Sequence, residues 1–123
     1  MKTKLTETVS YKTKDGSLIR ELLHPNLHNI KNQSLAEATI PPNTSTHLHK
    51  HHTVEEIYHI TAGHGRMVLG EDAFEVTAGD SIAIPAGTPH QISNSGSVSL
   101  VMLCCCAPAY SHEDTELLES DRS

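Results

Sequence analysis

Four of the ten histidines in this chain fall within six positions, His47-Leu-His-Lys-His-His52. On an extended strand side chains alternate between faces, so His47, His49 and His51 point to one side. After a short turn, Val54-Glu-Glu-Ile-Tyr-His-Ile60 reads as a second strand with Glu56, Tyr58 and Ile60 on a common face. Neutral imidazoles and a carboxylate converging from adjacent strands make a mixed nitrogen–oxygen site suited to a divalent metal. The competing reading is a polar, solvent-facing strand with surplus histidines. A later segment, Gly79-Asp-Ser-Ile-Ala-Ile-Pro85-Ala-Gly87-Thr-Pro-His90-Gln-Ile-Ser-Asn94, favours the metal site. Its Pro-x-Gly turn delivers His90 to the start of a third strand, a natural place for a fourth ligand.

These two segments resemble the paired motifs of the cupins. The first motif runs Gly, five residues, His-x-His, three or four residues, Glu, six residues, Gly. Here it is met by His49-x-His51, Glu56 and Gly63, with Asn43 in place of the leading glycine. Asparagine tolerates the left-handed backbone such a turn requires. The second motif, Gly, five residues, Pro-x-Gly, two residues, His, three residues, Asn, is met in full by Gly79, Pro85, Gly87, His90 and Asn94. The resemblance spans residues 43–94. It implies an antiparallel double-stranded β-helix, or jelly-roll barrel, holding one divalent metal. Carried over residue by residue, it implies His49, His51, Glu56 and His90 as ligands. His47-x-His49 and Glu55 are rival donors, but each breaks the motif spacing. His47 is then expected to look into the same cavity without binding, against the plainer alternative of a rim histidine with no role.

Three neutral imidazoles and one carboxylate around a divalent ion leave a local charge near +1 and two of six positions open. Such a centre is a Lewis acid for an oxygen-donor ligand, anionic or enolisable. The donor set suits Mn, Fe, Co, Ni and Zn alike. The expectation is therefore an oxygenase, isomerase or lyase acting on a small oxygenated molecule. The alternative is a non-catalytic metal-containing binding or sensor module. Tyr58, two residues past Glu56 on the same face, is the candidate acid or hydrogen-bond donor. Either Arg66, as an anion contact, or Met67, as an apolar wall, must face the pocket. The segment Pro108–Asp114 resembles the tail of small single-domain cupins labelled as similar to mannose-6-phosphate isomerase. That label follows the metal motif and carries no reaction with it; with iron or manganese the site is equally dioxygenase-like.

The elements that must position these residues are short. Gly, Pro and Asn punctuate the chain at Asp15-Gly16, Pro41-Pro42-Asn43, Gly63-His64-Gly65, Gly70, Gly79, Pro85-Ala-Gly87 and Asn94-Ser-Gly96. Alternating segments lie between them: 17–23, 54–60, 66–69, 74–76, 81–84, 90–92 and 98–103. Many short strands with regular turn signals predict an all-β sandwich or barrel. Residues 1–35 are expected as an N-terminal arm and first strand of the same domain, 36–110 as the barrel and 111–123 as a tail. Ser111 and Asp114 form a loose capping pattern before Thr115-Glu-Leu-Leu-Glu119, which predicts a short C-terminal helix.

With 123 residues, one domain is expected. Fifteen acidic against nine basic residues give a net charge of −6, and no Lys/Arg-rich stretch offers a nucleic-acid surface. Four aromatics without tryptophan leave little for stacking, so the pocket favours a small ligand held by the metal. No run approaches the roughly 18 apolar residues of a membrane span. The first residues lack the apolar core of a secretory signal, and Cys104-Cys105-Cys106 are too close for ordinary disulfides, so a cytoplasmic location with reduced thiols is expected. The strand 98–106 is apolar on both faces, which predicts burial against a twofold partner and hence a homodimer.

Overall fold

A computed structural model of the chain describes residues 1–118. Twelve strands follow one 3-10 turn at Leu5–Glu7: β1 Tyr11–Lys12, β2 Leu18–Leu23, β3 Ser34–Ile40, β4 Thr44–Ser45, β5 His49–His51, β6 Glu55–Ala62, β7 His64–Leu69, β8 Asp72–Thr77, β9 Ser81–Ile84, β10 His90–Asn94, β11 Leu100–Ala107 and β12 Thr115–Leu117. They form two antiparallel sheets, one in the order β1-β2-β3-β11-β6-β9 and one in the order β12-β5-β10-β7-β8, with β4 also pairing β10. The interior lies between the sheets, as in a jelly-roll barrel.

Strict alternation sets what faces inward. In β6 the pattern buries Glu56, Tyr58 and Ile60 and exposes Glu55, Ile57 and His59. Register then lines up rows across the first sheet. Glu21, Ala36, Cys104, Tyr58 and Ile82 form one inward row. Ser34, Cys106, Glu56 and Ile84 form the next. Ile40, Ile60, Met67, Ile92, Leu100 and Met102 are almost wholly buried. Each such side chain contributes about 1.5–3 kcal/mol of apolar burial.

The motif residues outside the donor set have structural work. Asn43 adopts φ +61°, the left-handed turn foreseen for it. Asn94 donates to the carbonyls of Ile40 (2.9 Å) and Val98 (2.8 Å) and accepts from the Gly96 amide (2.9 Å), clamping the turn into β11. At Gly65, where β7 passes β10, a Cβ would collide with the Ser93 carbonyl, so even alanine would force the strands apart.

Two expectations change. β3 was not singled out in the sequence, yet it is a full seven-residue inner strand of the first sheet. The tail is not helical over its described residues, 111–118. Thr115–Leu117 pairs antiparallel with β5, and Glu119, where the expected helix ended, lies outside the described residues. The helix-forming preference of Glu-Leu-Leu is overridden because β5 would otherwise be an edge strand with unpaired backbone groups. Among the described residues, no helix is long and apolar enough to cross a membrane.

Candidate metal centre

β5 and β10 bring the histidines together by direct register, His90 opposite His49. One ring nitrogen from each of His49, His51 and His90 lies within 4.8 Å of the others, and all three residues are buried. Glu56 enters from the opposite sheet. Its Oε1 is 3.2 Å from His51 Nε2 and 3.8 Å from His90 Nε2.

Hydrogen bonds behind the rings settle the tautomers. His49 Nδ1 is 2.7 Å from the His47 carbonyl, and His90 Nδ1 is 2.9 Å from the Thr88 carbonyl. Carbonyls only accept, so both Nδ1 atoms carry hydrogen. His51 Nδ1 lies 2.9 Å from Thr115 Oγ1, whose own hydrogen goes to the Ser111 carbonyl at 2.9 Å. His51 Nδ1 is therefore also a donor. In the neutral ring each Nε2 is left with a lone pair directed inward. Burial, with His49 close by, pulls the His90 pKa down to about 4, which keeps that ring neutral.

The result is a cluster of acceptors without donors. Glu56 Oε1 and His90 Nε2 are buried and have no hydrogen-bond partner among the described residues. Unpartnered buried polar atoms are costly and need an account. A divalent cation satisfies all four acceptors at once, so the donor set fits a metal, and the carbonyls and hydroxyl behind the rings orient the ligands toward it. The other Glu56 oxygen accepts from the Cys106 thiol at 3.4 Å, which fixes the carboxylate.

A cavity of about 40 Å³ adjoins the cluster; one water needs roughly 10–15 Å³. Its lining includes Tyr58, Met102, Cys104, Cys106, Glu21 and Tyr110. Tyr58 is buried on its floor, where burial and the Glu56 charge raise its pKa well above the usual value. Its hydroxyl is thus a hydrogen-bond donor and a poor source of a free proton. Burial likewise pushes the Cys104 and Cys106 thiols up, which disfavours thiolate chemistry.

Two expected pocket residues lie elsewhere. His47 is exposed, because residues 46–48 leave strand geometry between β4 and β5 and Thr46 takes the inward position. Its backbone, not its ring, serves the site. Arg66 is on the outer face of β7, paired with Glu75 at 3.3 Å, so Met67, wholly buried, is the one facing inward. Two carboxylates escaped the sequence reading. Asp15, in the β1–β2 turn, places Oδ2 3.4 Å from His49 Nε2. Glu21 is buried, with Oε2 accepting from Tyr11 at 2.9 Å and Oε1 unpartnered. Both stand in the segment read as an N-terminal arm and first strand, where the Asp15-Gly16 turn and the strand 17–23 are legible but no metal-ligand spacing is.

The tail brings Tyr110 to the cavity lining and is anchored by hydrogen bonds. The Tyr110 amide donates to Ser34 Oγ at 3.0 Å, and its carbonyl accepts from His24 Nε2 at 2.8 Å. Asp114 accepts from the amides of Thr53 (3.0 Å) and Val54 (3.0 Å) and from the Thr53 hydroxyl (2.8 Å).

With this geometry in place the relatives can be set beside it. Residues 36–106, more than half of the chain, match the family described as Cupin domain. The chain belongs to the cupin family. It is 56% identical over 119 residues, 97% of this chain and 95% of the other, to an uncharacterized protein of Methanocaldococcus jannaschii. It is 35% identical over 77 residues, 63% of each chain, to an oxalate-binding protein of Thermotoga maritima. Among solved structures, a Thermotoga maritima protein described as a predicted oxalate decarboxylase superposes with a TM-score of 0.78 at 25% identity, covering 88% of this chain and 99% of that one. The polyketide cyclase RemF of Streptomyces resistomycificus superposes with a TM-score of 0.82 at 21% identity, covering 98% and 88%. The latter likeness is one of fold.

Proposed function

We propose that this cupin holds one divalent metal through His49, His51, Glu56 and His90. It uses the remaining coordination positions to bind a small oxygen-donor molecule, carboxylates foremost. The observation that carries this reading is the convergence of three Nε2 lone pairs and one unpartnered carboxylate oxygen in a buried pocket. The volume beside them suits a ligand of a few atoms, and the oxalate-related names of two relatives agree with that size. Once bound, the metal supplies Lewis acidity toward a coordinated oxygen. The protein's part is to hold the imidazoles in one tautomer, to line the cavity with Tyr110 and apolar side chains against bulk water, and to offer the Tyr58 hydroxyl as a donor from the lining.

As an enzyme, the centre fits an oxygenase, isomerase or lyase of such a molecule. A non-catalytic binding module is the second reading. It is favoured by the raised pKa values of Tyr58, Cys104 and Cys106, which leave these groups poor proton shuttles. Calorimetric titration of oxalate, glycolate, acetate and a small diketone into metal-loaded and metal-free protein tests the common part. Binding should require the metal, and equal affinity for the metal-free protein would contradict it. Oxygen consumption, carbon dioxide release and isomerised product, followed for whichever ligands bind, separate the two readings. Binding without any turnover would leave the module.

A homodimer is also proposed, through the outer face of the first sheet. There Leu35, Cys105, Ile57 and Ala83 align across β3, β11, β6 and β9, with Ile57 48% exposed.

A further inference from the structure

We propose that Asp15 completes the metal centre as a second carboxylate donor, so that three imidazoles and two carboxylates surround the ion and one position remains for an exogenous ligand. The inference rests on the metal reading above and adds a ligand to it from outside both cupin motifs.

Asp15 is presented by the turn between β1 and β2, and its two oxygens have unequal surroundings. Oδ1 accepts from Thr13 Oγ1 at 2.7 Å, the Ser17 amide at 2.9 Å and Ser17 Oγ at 2.7 Å. Those donors fix the carboxylate and leave Oδ2 aimed at His49 Nε2, 3.4 Å away. His49 has already committed its Nδ1 hydrogen to the His47 carbonyl. With a neutral His49 ring the contact sets a carboxylate oxygen against a nitrogen lone pair, the same acceptor-to-acceptor arrangement that Glu56 makes with neutral His51 and His90 rings. A cation common to both sides resolves all of these contacts. Glu56 approaches the histidine triangle from the His51 and His90 side, and Asp15 approaches it from the His49 side.

The turn is also tied to the ligand strand. The His47 amide, inside the irregular step that leads to His49, donates to the Asp15 carbonyl at 2.7 Å. Lys14 reaches from the same turn to the carbonyls of His112 and Thr115, next to the hydroxyl that orients His51. Asp15 is thus held against β5 from two directions, as a donor must be if it is to meet the ion in one geometry.

A second carboxylate changes what the centre selects. Two negative donors neutralise a divalent ion, where one leaves it near +1. With five protein donors on a six-coordinate ion, the ligand binds through one oxygen.

The test uses Mn(II)-loaded full-length protein and counts water on the metal by proton relaxivity. The parent should carry one exchangeable water, and Asp15→Ala should carry two, with the inner-sphere relaxivity rising about twofold. The affinity for Mn(II), from competition with a chromophoric chelator, should fall roughly 10- to 100-fold. If Asp15→Ala no longer loads, Asp15→Asn, which keeps a neutral oxygen donor, should load weakly, and that outcome also supports the assignment. Relaxivity in Asp15→Ala equal to that of the parent would overturn it, placing Asp15 outside the coordination sphere even if affinity falls. A parent protein that binds no Mn(II) or any other divalent ion would overturn the metal reading itself.

Discussion

Among the described residues Thr115 Oγ1 is the acceptor placed for the His51 Nδ1 hydrogen, and Thr115→Val removes it at nearly constant volume. The consequence differs between metal-free and metal-loaded protein. Without metal, His51 can move its hydrogen to Nε2 and donate to Glu56 Oε1, 3.2 Å away, so the substitution strands only the Ser111 carbonyl, which loses the Thr115 hydroxyl equally in both states. With metal on Nε2 that escape is closed, and a buried Nδ1–H is left unpaired. Such a group costs about 1–3 kcal/mol, and here the cost falls on the loaded state alone. Metal affinity should therefore drop roughly 5- to 150-fold, while the metal-free melting temperature changes little. Competition with a chromophoric chelator measures the first quantity and calorimetry the second. Thr115→Ser, which keeps the hydroxyl, should restore most of the affinity. If Thr115→Val binds metal within twofold of the parent while folding normally, then Nε2 of His51 is not a metal ligand held by this hydrogen bond, and the tautomer reasoning fails.

His47→Ala should leave metal affinity within about twofold, because only its backbone carbonyl serves His49; a large loss on chelator titration would return the side chain to the cavity. Asp114→Ala should lower stability by about 1 kcal/mol, a value discounted for the solvent exposure of the carboxylate, as read by denaturant midpoint. The Asp114 carboxyl is held below its ordinary range by hydrogen bonds from Thr53 and Val54 that outweigh partial burial. Its contribution is therefore present above the unfolded carboxylate pKa near 3.9 and is lost as pH falls through the lower folded value. A pH series in which Asp114→Ala and the parent keep the same stability gap down to the most acid point would contradict this. Glu21→Gln removes the charge from a buried carboxylate whose Oε1 has no partner among the described residues, keeps an acceptor for Tyr11, and should raise the melting temperature by an amount equivalent to about 1 kcal/mol; a lower melting temperature would mean that Oε1 is satisfied. Light scattering should give a dimer for the parent and a monomer for Ile57→Asp, and a monomeric parent would end the dimer proposal.

Much of the barrel was legible because β6, β7, β9 and β10 bury alternate residues between clear turn signals, and because His90 follows a Pro-x-Gly turn. β3 was not, since its inward residues Ser34, Ala36 and Ala38 are small, Leu35 faces the other way, and only Ile40 at its end gives a strong apolar signal. The tail misled because local helix preference in Glu-Leu-Leu yields to the free edge of β5, and edges are a tertiary property. His47 followed from assuming one strand through residues 47–52, while a three-residue irregularity at 46–48 shifts the phase. Asp15 and Glu21 were invisible as site residues because nothing in a local window says that the β1–β2 hairpin folds against the histidine strand.

Metal stoichiometry is the most direct test of the centre. Elemental analysis of protein loaded in turn with Mn, Fe, Co, Ni and Zn, then desalted, should give one ion per chain for at least one of these metals, with the ion lost in His90→Ala while the fold is kept. No bound metal in the parent, or equal metal in His90→Ala, would contradict the assignment of the buried acceptor cluster to a metal centre.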